Sequence, residues 1–190
     1  MFKKKEYWDH RYKKGYDSGE GSVGVHRDWK WSQIESIIPS ISEVVDVGCG
    51  DLRFWEGKDC PSYIGLDISP TIIKQNITKR PQWGFICGNA ITRYPFKANV
   101  VLCMDMLFHI MNDDDFDKIL DNLMEYTKEW IIIYTWDKNP FSTKDDMKYQ
   151  AFRKLPIERF KEFKLVHQEA EPTDKYGKIF IFRYSGKGNL

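Results

Sequence analysis

Short apolar runs alternate with segments of helical periodicity from residue 44 to the end of the chain. The runs with the length and composition of β-strands are residues 44–47, 63–68, 83–88, 100–106, 130–134, 163–169 and 178–184. Strands that alternate with helices indicate parallel βαβ units. The last two runs are joined by too few residues for a crossover helix, so they are predicted to pair antiparallel at one edge. The pattern predicts an α/β fold, with a doubly wound, mostly parallel seven-stranded sheet and helices on both faces.

The helical segments carry start signals and inward-facing apolar positions. Ser69 can cap a helix whose first position is Pro70, and Pro81 ends that helix. Residues 28–38 and 113–128 are amphipathic, and short helices are predicted at 52–55 and after Pro156. The inward positions are Trp31, Ile34 and Ile38 in the first amphipathic helix and Phe116, Ile119, Leu120 and Leu123 in the second.

Charge and hydropathy argue against two classes of partner, although a local patch could still bind nucleic acid. The chain has 29 basic and 28 acidic residues and a net charge of +1, so no global field favours nucleic acid. No apolar run approaches the roughly 20 residues of a membrane span, and no apolar signal segment follows the basic N-terminal residues. A cytoplasmic protein without a nucleic-acid or membrane partner is expected, and the oligomeric state leaves no readable trace.

The cysteines are interpreted as structural, whereas the aromatic residues have two possible roles. Cys49, Cys60, Cys87 and Cys103 contain no CxxC pair and have no histidine at zinc-finger spacing, so neither a metal site nor a disulfide is predicted. Free cysteine commonly acts as a small buried hydrophobe. The aromatic content of 15% suits either a packed core or an aromatic-lined pocket, and composition does not choose between them.

Two glycine patterns compete for a ligand-binding role. Gly19, Gly21 and Gly24 spell GxGxxG, but the residues before them are not strand-like, so this string is interpreted as a mobile cover near a pocket rather than a phosphate loop. Gly48 and Gly50, in contrast, directly follow the first predicted strand, where open α/β sheets bind their ligands.

The second pattern favours a nucleoside without a diphosphate. A dinucleotide fold needs a glycine three residues after Gly50, and that position is Arg53, which disfavours NAD and FAD. Asp67 ends the second strand, where its carboxylate could accept bonds from both hydroxyls of a ribose. The alternative role for Asp67 is a cap on the next helix, and Asn89 could contact an adenine edge or serve only as a turn residue.

These motifs together resemble the class I S-adenosylmethionine-dependent methyltransferases. The segments VVDVGCGD, YIGLDIS, CGNA and VVLCMDMLFHI occur in the order and spacing of that family. The resemblance implies a Rossmann-like sheet of order 3-2-1-4-5-7-6, with S-adenosylmethionine as cofactor and S-adenosylhomocysteine as product. The cofactor residues that it implies are Asp46, Gly48, Cys49, Gly50, Asp67, Ile68, Asn89, Ala90 and Met104. The chain departs from the family at Leu52, where a third glycine is frequent.

The resemblance also implies a domain organisation. One methyltransferase domain is predicted over residues 1–190, with N-terminal helices and a Gly/Ser-rich lid in residues 1–40 and the catalytic core in residues 41–185. The N-terminal segment resembles that of a subset of these enzymes. Residues predicted for the lid or the substrate site are Trp8, Tyr12, Ser18, Gly19, Ser22, Trp136 and Tyr149. The polar stretch 137–154 is expected to overhang the acceptor, where its aromatics could cage the reacting centre or anchor the loop.

Asp105 and His109 are the candidate catalytic residues. A hydroxyl or weakly acidic acceptor needs its proton removed, and an imidazole titrates near neutral pH. If the chain is helical after the fourth strand, a spacing of four places Asp105 beside His109, where it could orient the base or contact the cofactor. The alternative is that His109 only fills space. The segment resembles that of the ubiquinone-pathway O-methyltransferases, but Phe108 replaces an acid, so no metal is expected.

The predicted function is methyl transfer to a small molecule, at a hydroxyl or carboxyl oxygen. A methyltransferase acting on nucleic acid or protein shares the fold and the cofactor, although amino-methylating enzymes of nucleic acids usually have a proline-rich motif after the fourth strand that this chain lacks. An oxidoreductase is disfavoured by Arg53. A non-catalytic cofactor-binding module remains a further alternative, since fold alone does not imply function.

Overall fold

The apolar runs form one sheet in this computed structural model, which describes residues 4–138, 142–144 and 147–186. Within those ranges the sheet has seven strands: β1 (Glu43–Val47), β2 (Ser62–Asp67), β3 (Gly84–Cys87), β4 (Ala98–Met104), β5 (Thr127–Trp136), β8 (Phe163–Ala170) and β9 (Gly177–Tyr184). Their order is β3-β2-β1-β4-β5-β9-β8. The first five are parallel, while β9 is antiparallel to both β5 and β8. Counted along this sheet alone, the predicted order 3-2-1-4-5-7-6 is confirmed.

A second, two-stranded sheet occupies part of the polar stretch that was expected to be a loop. Its strands are β6 (Ser142–Lys144) and β7 (Met147–Phe152), which pair antiparallel. Ala151 and Phe152 are buried, and the Phe152 ring stacks on Trp136 at 5.0 Å between centroids. The prediction of a loop was wrong here, because apolar positions at the end of the stretch pack against the end of β5 and stabilise a hairpin.

Four α-helices flank the main sheet in the described ranges: α1 (Lys4–Lys13), α2 (Gly24–Ile37), α3 (Pro70–Lys79) and α4 (Asp113–Tyr126). Ser69 caps α3 as predicted, since its hydroxyl oxygen accepts the amide of Ile72 at 3.3 Å. Helix α2 begins four residues before the predicted start, and α4 ends at Tyr126, two residues before the predicted end. Strand β5 follows α4 without a linker. The short predicted helices are 3₁₀ turns at Arg53–Trp55 and Ile157–Arg159.

Apolar residues fill both faces of the sheet, as a parallel sheet with helices on each side requires. Neighbouring residues of β1 face opposite ways, so Val44 joins one core cluster and Val45 the other. All the inward positions predicted for α2 and α4 are buried. A group of stacked and edge-on rings fills the first cluster, including Trp55 against Tyr63 at 5.2 Å and Tyr63 against Trp83 at 4.2 Å. The high aromatic content therefore belongs largely to the core.

The cysteines fit this packing. All four are free, with Cys49, Cys60 and Cys103 buried and Cys87 exposed. Burial raises the pKa of the Cys49 and Cys103 thiols well above their ordinary value, which keeps them protonated and unreactive. In the described part of the chain, no helix is long and apolar enough to cross a membrane.

Candidate active site

A cleft opens at the carboxyl ends of β1, β2, β3 and β4, where open α/β sheets bind their ligands. Its volume is about 920 Å³ when the open mouth is counted. Both predicted catalytic residues and all the predicted cofactor residues line it. The latter are Asp46, Gly48, Cys49, Gly50, Asp67, Ile68, Asn89, Ala90 and Met104.

The glycine turn after β1 leaves room for a ligand and for the chain that covers it. Gly48 and Gly50 both have positive φ angles, +83° and +52°. A Cβ atom on Gly48 would lie 2.8 Å from Met106 Cγ, and one on Gly50 would collide with Ser18 Oγ. The amides of Gly48 and Cys49 donate to Leu66 O at 2.8 and 3.1 Å, so the turn is tied to β2. This close, side-chain-free approach fits the cradle that an adenosyl cofactor needs.

Leu52 adopts the conformation that a glycine would favour at this position. Its φ angle is +65°, in the left-handed region, and its side chain is buried. Despite the departure from the family pattern, this position therefore has a backbone conformation that glycine adopts readily. Packing of the leucine side chain offsets a conformational cost of roughly 1–2 kcal/mol.

Asp67 lies at the end of β2 with each carboxylate oxygen already holding one backbone amide. Oδ2 accepts Gly50 N at 3.1 Å and Oδ1 accepts Ser69 N at 2.9 Å. Burial raises the pKa of Asp67 to about 6, against the effect of those amides. Ser69 itself caps α3, so Asp67 is not the capping side chain. Each carboxylate oxygen keeps a second lone pair, which leaves capacity for two ribose hydroxyls.

Asp46 and Asn89 have structural bonds of their own. Asp46 Oδ2 accepts Trp55 Nε1 and Tyr63 OH, both at 2.8 Å, so this carboxylate anchors the turn to the core. Burial raises the pKa of Asp46 to about 6. Asn89 Oδ1 accepts Ile91 N at 3.2 Å, which is the turn role considered from the sequence. Its side chain also lines the cleft beyond β3.

The end of β4 does not continue into a helix, so the argument that a helical spacing of four pairs Asp105 with His109 fails. Asp105 has a φ angle of +56°, and His109 ends a 3₁₀ turn that begins at Leu107. Asp105 Oδ2 instead accepts the ammonium of Lys30 at 2.6 Å. The His109 ring meets the Trp8 ring edge-on, with centroids 5.0 Å apart.

Helix α1 covers the cleft and is docked on the start of α3. Trp8 and Tyr12 line the cleft, and their rings stack at 5.9 Å. Asp9 Oδ1 accepts Ser69 Oγ and Thr71 N, both at 3.0 Å. The ammonium of Lys13 beside Asp9, together with these bonds, holds the pKa of that carboxyl well below its ordinary value. The side chain of Asp9 is thus an ionised clamp for the helix.

Residues 16–23, called the lid segment below, cross the glycine turn. Ser18 N donates to Asp51 Oδ2 at 3.0 Å, and Asp51 N donates to Ser18 Oγ at 2.9 Å. Ser18 and Ser22 line the cleft, while Gly19 lies in the same segment with a φ angle of +111°. The segment follows helix α1, whereas a phosphate loop would follow a strand. Its predicted mobility stays a prediction.

Trp136, an aromatic residue predicted for the acceptor site, does not line the cleft. Trp136 stacks on Phe108 at 4.4 Å and donates from Nε1 to Asp174 Oδ2 at 3.0 Å, so it supports the residue next to His109. Tyr149 belongs to β7, and its side chain lies outside the described part of the structure. Among the residues that are described, no cluster of three His, Cys, Asp or Glu side chains is placed to hold a metal ion.

Sequence reasoning missed three supporting residues. Lys30 is paired with Asp105, Asp51 holds the lid segment, and Asn76 donates to Gly50 O at 2.7 Å from helix α3. Lys30 had a readable signal, because it lies four residues before the inward-facing Ile34 and so shares the buried face of α2. A lysine on such a face needs a buried partner.

The sequence of the core matches one family. Residues 44–129 match the family model described as a methyltransferase domain, a range that runs from β1 into β5 and includes the glycine turn, Asp67 and His109. No curated protein sequence matches the chain.

Solved structures share the fold over most of the chain at low sequence identity. The magnesium protoporphyrin IX methyltransferase of Synechocystis PCC 6803 with bound S-adenosylhomocysteine has a TM-score of 0.66 and 16% identity, over 95% of this chain and 97% of that one. The N-methyltransferase NodS of Bradyrhizobium japonicum WM9, in complex with the same product, has a TM-score of 0.65 and 9% identity, over 84% and 87%. An S-adenosylmethionine-dependent methyltransferase of Clostridium acetobutylicum ATCC 824 has a TM-score of 0.64 and 12% identity, over 97% and 100%.

Proposed function

We propose that this chain is a class I S-adenosylmethionine-dependent methyltransferase that methylates a hydroxyl or carboxyl oxygen of a small molecule. The predicted fold is confirmed, and the match of residues 44–129 to the methyltransferase-domain model supports the predicted family and enzyme class. Solved structures of the same fold with bound S-adenosylmethionine and S-adenosylhomocysteine support the predicted cofactor and product. The acceptor and the roles of individual residues are likewise proposed.

One observation carries the proposal. A single cleft is lined both by the cofactor residues at the strand ends and by His109, with the indole of Trp8 against the imidazole. A titratable group beside an enclosed apolar wall is what proton removal from a hydroxyl requires.

The chain's own residues have distinct proposed tasks in the cofactor half of the cleft. Gly48 and Gly50 let the backbone approach the methionine part closely, and Asp67 accepts the ribose hydroxyls with the lone pairs that its two backbone amides leave free. Asn89 and Ala90 flank the adenine beyond β3. When bound, the cofactor supplies an electrophilic methyl carbon on a sulfonium, whose carbon–sulfur bonding electrons stay with the thioether product.

The remaining tasks concern the acceptor. Where the acceptor is a hydroxyl, His109 takes its proton, and the bonding pair stays on the oxygen as a nucleophilic lone pair. Trp8 and Ile110 line the same cleft and exclude water from the reacting groups. Helix α1 and the lid segment, together with the core from residue 41 onward, act as one domain in this proposal. The expected cytoplasmic location stays a prediction.

The test has two steps. Calorimetry of the purified chain should detect binding of S-adenosylmethionine and no binding of NAD. A screen of small hydroxyl, carboxyl and amine compounds should then release S-adenosylhomocysteine only with oxygen acceptors. Release only with amines, with RNA or with protein substrates would contradict the proposed acceptor class. Binding without release in any acceptor class would favour a non-catalytic module.

A further inference from the structure

Lys30 is a fully buried lysine that the proposed reaction does not use. Its side chain is 0% exposed within helix α2. The ammonium donates to Asp105 Oδ2 at 2.6 Å and to Gly21 O at 2.9 Å, and it lies 3.6 Å from the ring centroid of Tyr134. A lysine is rarely buried unless it is paired. Its three contacts join the end of β4, the lid segment and β5.

The partner of Lys30 is held in an uncommon conformation. Asp105 has a φ angle of +56°, which few residues other than glycine adopt, although aspartate does so more readily than most. Its amide donates to Tyr134 O at 3.1 Å, and its side chain lines the cleft. Such strain persists only where surrounding contacts fix it.

The lid segment reaches Asp105 only because residue 21 is a glycine. A Cβ atom on Gly21 would lie 2.6 Å from Asp105 Oδ1, so any side chain there would displace the segment or the carboxylate. The carbonyl of the same residue accepts the Lys30 ammonium. The backbone of the lid segment therefore lies directly on the ion pair.

We infer that Lys30 is a positioning residue, which fixes the Asp105 carboxylate in the cleft wall and holds the Gly21 end of the lid segment against it. The lid segment then has two anchors, Ser18 on Asp51 over the glycine turn and Gly21 on Lys30 beside the end of β4. A buried ion pair often adds little net stability compared with apolar packing. Its geometric role is therefore the stronger explanation for keeping a lysine at this place.

The test uses amide hydrogen exchange of the full chain without ligand, in wild type and in Lys30→Met. The amides of Ser22 and Val23, which donate to Gly19 O and Glu20 O, report on the Gly21 end. We expect them to exchange about tenfold faster or more in the variant, the change that follows when a charge-assisted hydrogen bond is lost. The amide of Ser18, at the other anchor, should change less.

Two controls separate positioning from general stability. Lys128→Met removes an exposed ion pair with Glu43 and should leave lid exchange unchanged. The double variant Lys30→Met/Asp105→Asn leaves no unpaired buried charge, so the sheet amides should return toward their wild-type protection. Its Gly21 end should still exchange rapidly, because the donor to Gly21 O is missing.

Three outcomes would overturn the inference: unchanged exchange at Ser22 and Val23, an equal loss of protection in the sheet and the lid, or full recovery of the lid in the double variant. Dissociation of S-adenosylhomocysteine, measured on the same proteins, adds a functional readout and should be faster in Lys30→Met. The inference rests on the proposed function only for that last measurement. If wild type fails to bind S-adenosylhomocysteine, the proposed function fails, while the exchange comparison still decides the role of Lys30.

Discussion

Replacement of Asp67 by alanine should weaken cofactor binding. The carboxylate is buried, each of its oxygens holds one backbone amide, and its remaining lone pairs point to a role in binding hydroxyls. Hydrogen bonds to charged groups contribute roughly 1.5–3 kcal/mol each, and some of this is recovered from water when the side chain is removed. A net loss of about 2–3 kcal/mol is expected, which is about 30- to 150-fold in affinity.

The pH dependence gives the prediction a second, independent signature. Burial raises the pKa of Asp67 to about 6, so the wild-type carboxylate becomes protonated as the pH falls through that value. A protonated carboxyl has lost acceptor capacity, so wild-type affinity for S-adenosylhomocysteine should fall by about tenfold between pH 7 and pH 5. The alanine variant should lack this fall, and the two affinities should converge at low pH.

Calorimetric titration with S-adenosylhomocysteine at pH 5, 6, 7 and 8 measures both effects. Asp59→Ala is the matched control, because that carboxylate is exposed and pairs only loosely with Arg80 at 3.9 Å. Urea unfolding must show that the Asp67 variant remains folded, since it loses acceptors for Gly50 N and Ser69 N. Equal affinity of the folded variant and wild type at pH 8 would refute the assignment of Asp67 to the ribose.

Three further changes test other parts of the site. His109→Ala should lower turnover by about 100-fold or more with little change in cofactor affinity, and a wild-type rate that is flat from pH 6 to 9 would remove His109 as the base. Leu52→Gly removes the conformational cost of a left-handed leucine, roughly 1–2 kcal/mol, but it also removes a buried side chain that contributes about 2–5 kcal/mol. Urea unfolding should therefore show net destabilisation, and a more stable variant would mean that strain outweighs packing. Asp46→Asn removes a carboxyl whose pKa burial raises from 3.8 to about 6. Wild type loses stability as the pH rises through that range. The free energy of unfolding of the variant relative to wild type should therefore increase by up to about 3 kcal/mol between pH 4 and pH 7. A difference in unfolding free energy that does not change with pH would contradict this prediction.

The strand ends were predictable because their position follows from local pattern. Buried parallel strands appear as continuous apolar runs, and the carboxyl ends of such strands share one edge of the sheet. Gly48 and Asp67 could therefore be assigned to one cleft before any tertiary contact was known. The hydrophobic faces of α2 and α4 followed from helical spacing in the same way.

The surroundings of Asp105 were not predictable in that way, because they depend on long-range packing. Lys30 and Asp105 are 75 positions apart, and their contact requires the register of α2 on the sheet as well as its buried face. Asp105 also has a left-handed backbone conformation, so the helix that would have paired it with His109 does not form. The β6–β7 hairpin was missed for a related reason, since Phe152 gains its partner Trp136 only in the folded chain.

The GxGxxG string shows how tertiary contacts change the meaning of a motif. Gly19 and Gly24 have positive φ angles, +111° and +53°. Gly19 directly precedes the 3₁₀ turn of the lid segment, and Gly24 is the first residue of α2. Gly21 lies between them, where only a residue without a side chain can rest on the Asp105 carboxylate. Each glycine thus has a backbone reason that involves no phosphate. A glycine-rich spacing is therefore informative only together with the elements that flank it, and here those elements are the helices α1 and α2, with no strand before the glycines.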